Sequence, residues 1–106
     1  MPKGIMLVES WPSAPEKADD FQAWYAETHI PDVLKVEGFL SARLFRPTED
    51  GPFVAVYEVE RDDLSTAVTA LGEAFARGEM VMSDLLQMDP PPNIRILETV
   101  AQVEKK

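Results

Sequence analysis

The sequence predicts a single α+β domain in which two helices cover one face of a four-stranded antiparallel sheet. Three observations predict this fold class: the length of the chain, the order of its predicted elements and the apolar pattern of its strands. The chain has 106 residues, of which 45% are hydrophobic. That is enough for one hydrophobic core and too little for a second domain.

The first two predicted elements are a strand and a helix. Residues 4–10 form a short apolar run typical of a strand. Ser13 and Glu16 have the spacing of a capping box, so we expect a helix to begin there. Pro31 disfavours helical backbone at Ile30, so we expect the helix to end or kink at that point. The apolar face of this helix is formed by Phe21, Trp24, Tyr25 and Thr28.

A β-hairpin follows. The strand patterns at 39–46 and 53–60 are separated by a proline- and glycine-containing turn, which predicts antiparallel pairing. In the second of these strands, Tyr57 shares a face with other apolar residues.

The last predicted elements are a helix and a strand. Asp62 or Asp63 can cap the helix and Gly78 can end it. Its predicted apolar face is formed by Leu64, Val68, Leu71 and Phe75. The last strand is predicted at 93–101. The resulting order, β-α-β-β-α-β, is that of the ferredoxin-like arrangement.

The strands carry apolar side chains on both faces, which predicts a homodimer. Two helices can cover only one face of a sheet, and monomeric proteins seldom expose a contiguous apolar patch. A second copy packed sheet against sheet, with two-fold symmetry, would cover the other face.

The charge balance excludes several classes of function. Ten Lys and Arg residues against nineteen Asp and Glu residues give a net charge of −9. This balance argues against binding to nucleic acids and to anionic membrane surfaces, both of which attract clustered basic residues. The chain has no cysteine, and the stretch before Ile5 with the short run Ile5–Val8 does not form a secretory signal. We therefore expect a cytoplasmic protein.

Metal and nucleotide sites are also not expected. The chain has one histidine and no cysteine, and Asp62 and Asp63 are explained as helix caps. No glycine-rich phosphate-binding motif is present.

The residues best suited to chemistry lie near the predicted end of the first helix. His29 is the only histidine in the chain, and it follows Tyr25 by four residues, so the two side chains share a helix face. An imidazole is the side chain best suited to proton transfer at neutral pH. The alternative is structural: His29 would bond a local carbonyl, while Trp24 and Tyr25 would pack in the core.

The segment from Phe21 to Arg46 resembles the EthD-like branch of the dimeric α/β-barrel superfamily. The resemblance rests on Trp24-Tyr25, then His29-Ile30-Pro31-Asp32, then Val36-Glu37-Gly38-Phe39, and Ala42-Arg43. The chain departs from the family pattern at Glu37, where a proline is usual before Gly38. The superfamily includes polyketide cyclases, lactone isomerases, monooxygenases that need no cofactor, and haem-degrading enzymes.

This resemblance implies a homodimer with a pocket for a hydrophobic, oxygenated aromatic or lactone-like molecule. His29 would act as general acid or base, removing a proton next to a carbonyl or from a phenol, and Tyr25 would orient it or donate a hydrogen bond. No bound cofactor is expected, although the superfamily also admits haem bound by His29. Trp24 would line the pocket or belong to the core.

Three further side chains are candidates for substrate binding. Arg43 and Tyr57 lie in mid-strand, on the faces that we assign to the dimer side, where they could hold a carbonyl or anionic oxygen. Arg43 could instead form an ion pair across the interface. Glu9 interrupts the apolar residues that alternate along one face of the first predicted strand, and it is either a pocket carboxylate or a strand-end residue facing solvent.

Two classes of function therefore stay open. One is a cofactor-independent enzyme of isomerase, cyclase, lyase or monooxygenase type. The other is a non-catalytic protein that binds or shields such a molecule for a partner enzyme. Convergence of His29 with a second polar group in a closed cavity would favour the enzyme.

Overall fold

The structure is a computed structural model that describes residues 2–106; Met1, the first residue of the stretch before Ile5, lies outside them. The elements are β1 (Lys3–Ser10), α1 (Ala18–Trp24), α2 (Ile30–Val33), β2 (Phe39–Phe45), β3 (Phe53–Glu60), α3 (Thr66–Ala76) and β4 (Asn93–Glu98). The strands form one antiparallel sheet in the order β2-β3-β1-β4. The predicted α+β, ferredoxin-like fold is confirmed. The last strand ends at Glu98, three residues earlier than predicted.

The two faces of the sheet differ in what covers them. We call the side packed against the helices the helix face and the other side the open face. On the helix face, the buried side chains of the two central strands are Met6, Val8, Ser10, Phe53, Ala55, Tyr57 and Val59. Their neighbours on the open face are Ile5, Leu7, Glu9, Val54, Val56 and Glu58. Tyr57 therefore lies on the helix face, and its prediction on the dimer side is wrong.

A β-bulge in β2 changes which face Phe39 occupies. Phe39 pairs with Val59, whereas Ser41 pairs with Glu58, so the register shifts between them. The bulge puts Phe39 on the helix face, where it is buried. With strict alternation Phe39 would share a face with Arg43, but the extra residue of the bulge breaks the period of two.

The first helical segment runs through Pro31 instead of ending before it. A 3-10 turn (Pro15–Lys17) precedes α1, and a π-helical turn (Tyr25–His29) joins α1 directly to α2. The Ile30 N–H donates to the Tyr25 carbonyl, five residues back. A proline ring normally clashes with the carbonyl four residues before it, and the wider π turn accommodates the ring without ending the helix.

The predicted capping box is also wrong. The backbone N–H of Ser13 donates to the Leu85 carbonyl at 2.7 Å, and no side chain caps the turn that begins at Pro15. Ser13 is thus held by the loop before β4, because that loop pairs with the chain at Pro12 through a bridge to Leu86.

The helix α3 packs through small side chains. Ala67 and Ala74 are its buried residues, whereas Val68 and Phe75 are 38% and 52% exposed. The predicted apolar stripe therefore lies at the edge of the contact with the sheet. The predicted stop is confirmed, since Gly78 follows the helix with a positive φ of 74°. The predicted cap is wrong: the N-cap is Ser65, which makes no side-chain cap bond, and the Asp63 carboxylate accepts the Ser65 N–H in the turn before α3.

Candidate active site

The π-helical turn brings His29 into contact with two aromatic side chains. The imidazole stacks on the Trp24 indole with ring centroids 5.0 Å apart, and it meets the Tyr25 ring edge-on at 4.8 Å. Both neighbours precede His29 on the same helical segment. π-Helical turns often occur at functional sites, and here the extra residue per turn keeps Tyr25 and His29 together above the sheet.

Tyr25 and Tyr57 form a buried hydroxyl pair between helix and sheet. The Tyr57 hydroxyl donates to the Tyr25 hydroxyl at 3.4 Å, and neither side chain is more than 1% exposed. Burial raises the pKa of Tyr25, and the hydrogen bond with the Tyr57 hydroxyl opposes that shift only in part. Burial, followed by the neighbouring Tyr25, also raises the pKa of Tyr57. Both tyrosines are therefore neutral hydrogen-bond donors at physiological pH.

His29 is held as a neutral imidazole. Burial lowers the pKa of His29, and the nearby Asp32 carboxylate opposes that shift. The pKa of Asp32 is itself lowered, chiefly because its carboxylate accepts the Val81 N–H at 2.9 Å. A neutral imidazole is the form that can accept a proton from a substrate.

Three buried polar atoms lack a hydrogen-bond partner in residues 2–106, and all three belong to residues around Tyr25. They are Ser10 Oγ, Trp24 Nε1 and His29 Nδ1. Such groups are normally satisfied by protein or by ordered water. Ser10, the one buried polar residue of β1, is not among the predicted site residues. The strand pattern indicated its position, because Ser10 lies on the same face of the strand as Met6 and Val8.

The other two predicted site residues lie elsewhere. Arg43 is on the open face, as predicted, with its guanidinium 5.0 Å from the Phe45 ring centroid. Glu9 is also on the open face and accepts a hydrogen bond from Asn93 Nδ2 at 3.1 Å. The structure thus brings His29, Tyr25, Trp24 and Tyr57 together on the helix face and separates them from Arg43 and Glu9.

A cleft of about 340 Å³ lies at the end of the sheet where β1 and β2 finish. Its wall includes Trp11, Arg46 and Phe53, but neither His29 nor Tyr25. The aromatic rings of Phe53, Phe21 and Tyr25 are in contact, with successive centroid distances of 5.0 and 5.5 Å. Phe21 therefore separates the cleft from the tyrosine pair.

Trp24 stacks on the imidazole of His29, Tyr25 meets its edge, and Nδ1 is buried. Binding of haem by His29, which the resemblance admitted, stays a prediction. Among residues 2–106, no three His, Asp or Glu side chains converge as a metal site would require.

None of the helices formed by residues 2–106 has the length and apolar character needed to span a membrane.

The fold and this arrangement define a small α+β protein of the ferredoxin-like type with an aromatic, histidine-containing cluster between helix and sheet. Two solved structures share the fold. One is a monooxygenase from the gene ActVA-Orf6 of Streptomyces coelicolor in complex with the ligand nanaomycin D. It has a TM-score of 0.64 and 17% identity, and the match covers 97% of this chain and 93% of that chain. The other is the NE2512 protein of unknown function from Nitrosomonas europaea, with a TM-score of 0.51, 17% identity, and coverage of 100% and 97%.

At this level of identity the two structures establish the fold alone. No protein-family model matches the sequence, and no curated protein matches it. The ferredoxin-like part of the expected resemblance is therefore shown, whereas membership of the EthD-like branch stays a prediction.

Proposed function

We propose that this protein is a homodimeric, cytoplasmic enzyme of the EthD-like type that catalyses proton transfer on a hydrophobic, oxygenated aromatic or lactone-like molecule without a bound cofactor. The observation that carries the proposal is the contact of the His29 imidazole with a hydrogen-bonded tyrosine pair. Burial lowers the pKa of His29, and its ring lies edge-on to the ring of Tyr25. The Tyr25 hydroxyl accepts a hydrogen bond from the Tyr57 hydroxyl. Convergence of a base with a polar orienting group is one of the two features that favour an enzyme. The cleft beside Trp11 contains neither residue and does not supply the other feature, a cavity around them.

The roles follow from the protonation states. His29 removes a proton from carbon next to a carbonyl, or from a phenol, and the Tyr25 hydroxyl donates to the oxygen on which negative charge develops. Tyr57 donates to Tyr25 and so positions its hydroxyl. Trp24 stacks on the imidazole and limits its rotation.

Dimerisation is supported by the apolar centre of the open face. Ile5, Leu7, Val54 and Val56 are only partly buried within one chain. Arg43 and Glu58 lie at the border of this patch on adjacent strands, where each could pair with an opposite charge of the second copy. The shared fold with a monooxygenase crystallised with nanaomycin D also supports small-molecule binding.

A second candidate function is non-catalytic binding of the same class of molecule. The observation that favours it is the cleft beside Trp11, which has a volume suited to a small molecule but contains neither His29 nor Tyr25. On this alternative the cluster around Tyr25 is structural, and the protein carries a ligand for a partner enzyme.

Hydrogen–deuterium exchange separates the two functions. The probe is 2-tetralone, an aromatic ketone with acidic C–H bonds, incubated in D₂O with catalytic amounts of protein and followed by NMR. The enzyme should accelerate exchange, and His29→Gln should reduce the rate at least tenfold with an unchanged melting temperature. Glu27→Gln, an exposed change in the same π turn, is the matched control. Wild-type exchange at the buffer rate, or an undiminished rate in His29→Gln, would contradict proton transfer by His29.

A further inference from the structure

The cleft at the end of the sheet is built from separate parts of the chain. These parts form three segments: residues 11–18 between β1 and the start of α1, residues 46–53 between β2 and the start of β3, and Gln87 in the loop before β4. Phe53, at the start of β3 and 3% exposed, is its most buried aromatic residue. The volume of about 340 Å³ lies within the range of small-molecule sites.

The Trp11 carbonyl and the Ser13 N–H are both bonded to the loop before β4, so this part of the cleft wall is formed before any ligand arrives. The Gln87 N–H donates to the Trp11 carbonyl at 2.9 Å, and the Ser13 N–H donates to the Leu85 carbonyl at 2.7 Å. The indole itself is 41% exposed. A rigidly mounted, solvent-facing indole offers a flat surface for stacking, and preformed walls reduce the entropy lost on binding.

A guanidinium faces the same space. The Arg46 guanidinium carbon lies 5.7 Å from the Phe53 ring centroid. Its Nη1 donates to Asp19 at 2.7 Å and to Gln22 at 3.0 Å. Both of these bonds leave from one nitrogen, so Nε and Nη2 can donate to a ligand carbonyl.

The charges of the cleft select against anions. Glu49 and Asp50 line it, and Asp19 neutralises Arg46 through their ion pair. An anionic ligand would meet an excess of carboxylates, whereas a neutral carbonyl compound would not.

We infer that this cleft binds a neutral, flat, oxygenated aromatic molecule, which stacks on Trp11 and accepts a hydrogen bond from Arg46. The inference takes the ligand class from the proposed function and adds the place and charge of the ligand. It does not require that His29 be catalytic. A ligand in the cleft, against Phe53, is separated from Tyr25 by the ring of Phe21.

Isothermal titration with coumarin tests the inference, because coumarin is a neutral, flat aromatic lactone. Trp11→Ala and Arg46→Met should each weaken coumarin binding at least tenfold. The matched control is Arg43→Met, since Arg43 also lies over a phenylalanine ring, Phe45, but on the open face. Coumarin-3-carboxylate, the same ring system with a negative charge, should bind at least tenfold more weakly than coumarin to the wild type.

Fluorescence provides a second measurement. The chain has two tryptophans, so in a Trp24→Phe background only Trp11 emits, and coumarin should quench it saturably. No saturable binding, an equal loss in Arg43→Met and Arg46→Met, or tighter binding of the carboxylate would overturn the inference.

The inference and the proposed function fail in different ways. Loss of coumarin binding in His29→Gln, with normal binding in Trp11→Ala and Arg46→Met, would place the ligand at His29 and end the inference alone. Cleft-dependent binding together with buffer-rate tetralone exchange would end proton transfer alone.

Discussion

On the helix face of the sheet, Phe53, Ala55, Tyr57 and Val59 of β3 are each no more than 3% exposed, because the helices cover them. On the open face of the same sheet, Phe45 is 43% exposed, and Val54 and Val56 beside it are only partly buried. The helix face is complete within one chain. The open face has apolar side chains of the same kind but nothing within residues 2–106 to cover them.

This difference shows what each face contributes. The helix face supplies the folding energy and holds the aromatic cluster of His29. The open face contributes little to the stability of one chain, and its apolar centre is explained by a second copy. Substitutions on the helix face should therefore lower the stability of one chain, whereas substitutions on the open face should weaken the assembly of two chains.

The largest expected effect is on the helix face. Phe21 is fully buried and contacts the rings of Trp24, Tyr25 and Phe53. Phe21→Ala should lower the free energy of unfolding by about 3–5 kcal/mol, because it leaves a cavity in the core. Denaturant unfolding at a protein concentration that keeps the chain monomeric measures it. Phe45→Ala is the control and should lower the free energy of unfolding of the monomeric chain by less than about 1.5 kcal/mol. If the two variants lost equal stability, the two faces would not differ in what they contribute.

The next effect concerns assembly. Val56 lies at the centre of the open face, paired with Leu7 and Arg43 on the neighbouring strands. Val56→Asp should weaken dimerisation at least a hundredfold, because burial of a carboxylate between the two sheets costs more in desolvation than pairing with the neighbouring Arg43 returns. The circular dichroism spectrum should stay unchanged. Sedimentation equilibrium measures the change, and a wild-type mass of 11.9 kDa at every concentration would show that no second copy covers the open face.

A smaller effect is expected at the tyrosine pair. Tyr57→Phe removes the hydroxyl that donates to Tyr25 and should cost about 0.5–1.5 kcal/mol of stability. Combining it with Tyr25→Phe should cost less than the sum of the two, because both remove one interaction. Ser10→Ala should be nearly neutral, since its hydroxyl has no partner. An additive double variant would show that the pair does not interact.

The smallest effect is a pH dependence of stability. Burial lowers the pKa of His29 in the folded protein below the value of about 6.5 expected in the unfolded chain. The unfolded chain therefore binds the proton more tightly, so stability should fall as the pH drops through 6.5 toward the folded pKa. The melting temperature should decrease by roughly 4 °C or less over that interval.

His29→Gln should lack this part of the pH dependence, while carboxylate titration at lower pH is retained. If the melting temperatures of the two proteins changed equally between pH 7.5 and 5.5, His29 would have its ordinary pKa in the folded protein.

The sequence predicts the fold well because strand order and hairpin spacing depend on local patterns. β3 has the predicted bounds, and Gly78 ends α3 as expected. The failures come from backbone geometry that those patterns do not contain. The bulge before Ser41 transfers Phe39 to the helix face, and the π turn carries the helix through Pro31.

The candidate site was predictable only in part. The spacing of Tyr25 and His29 indicated their contact, because both lie on one helical segment. The partnership of Tyr57 with Tyr25 depends on which face of the sheet meets the helices, and the apolar residues on both faces left that undecided. The cleft beside Trp11 is formed by three segments that are distant in sequence, so no local motif could reveal it.

The π turn has a consequence for how this helix could be altered. A π turn has the geometry of an α-helix with one residue inserted, and each residue of an α-helix turns the chain by about 100°. Removal of a single exposed residue, such as Ala26, would regularise the helix. The imidazole would then be rotated away from the tyrosine, or Pro31 would be driven into the preceding carbonyl. A one-residue deletion is thus a single mutation by which a chain with this fold could lose its acid-base group.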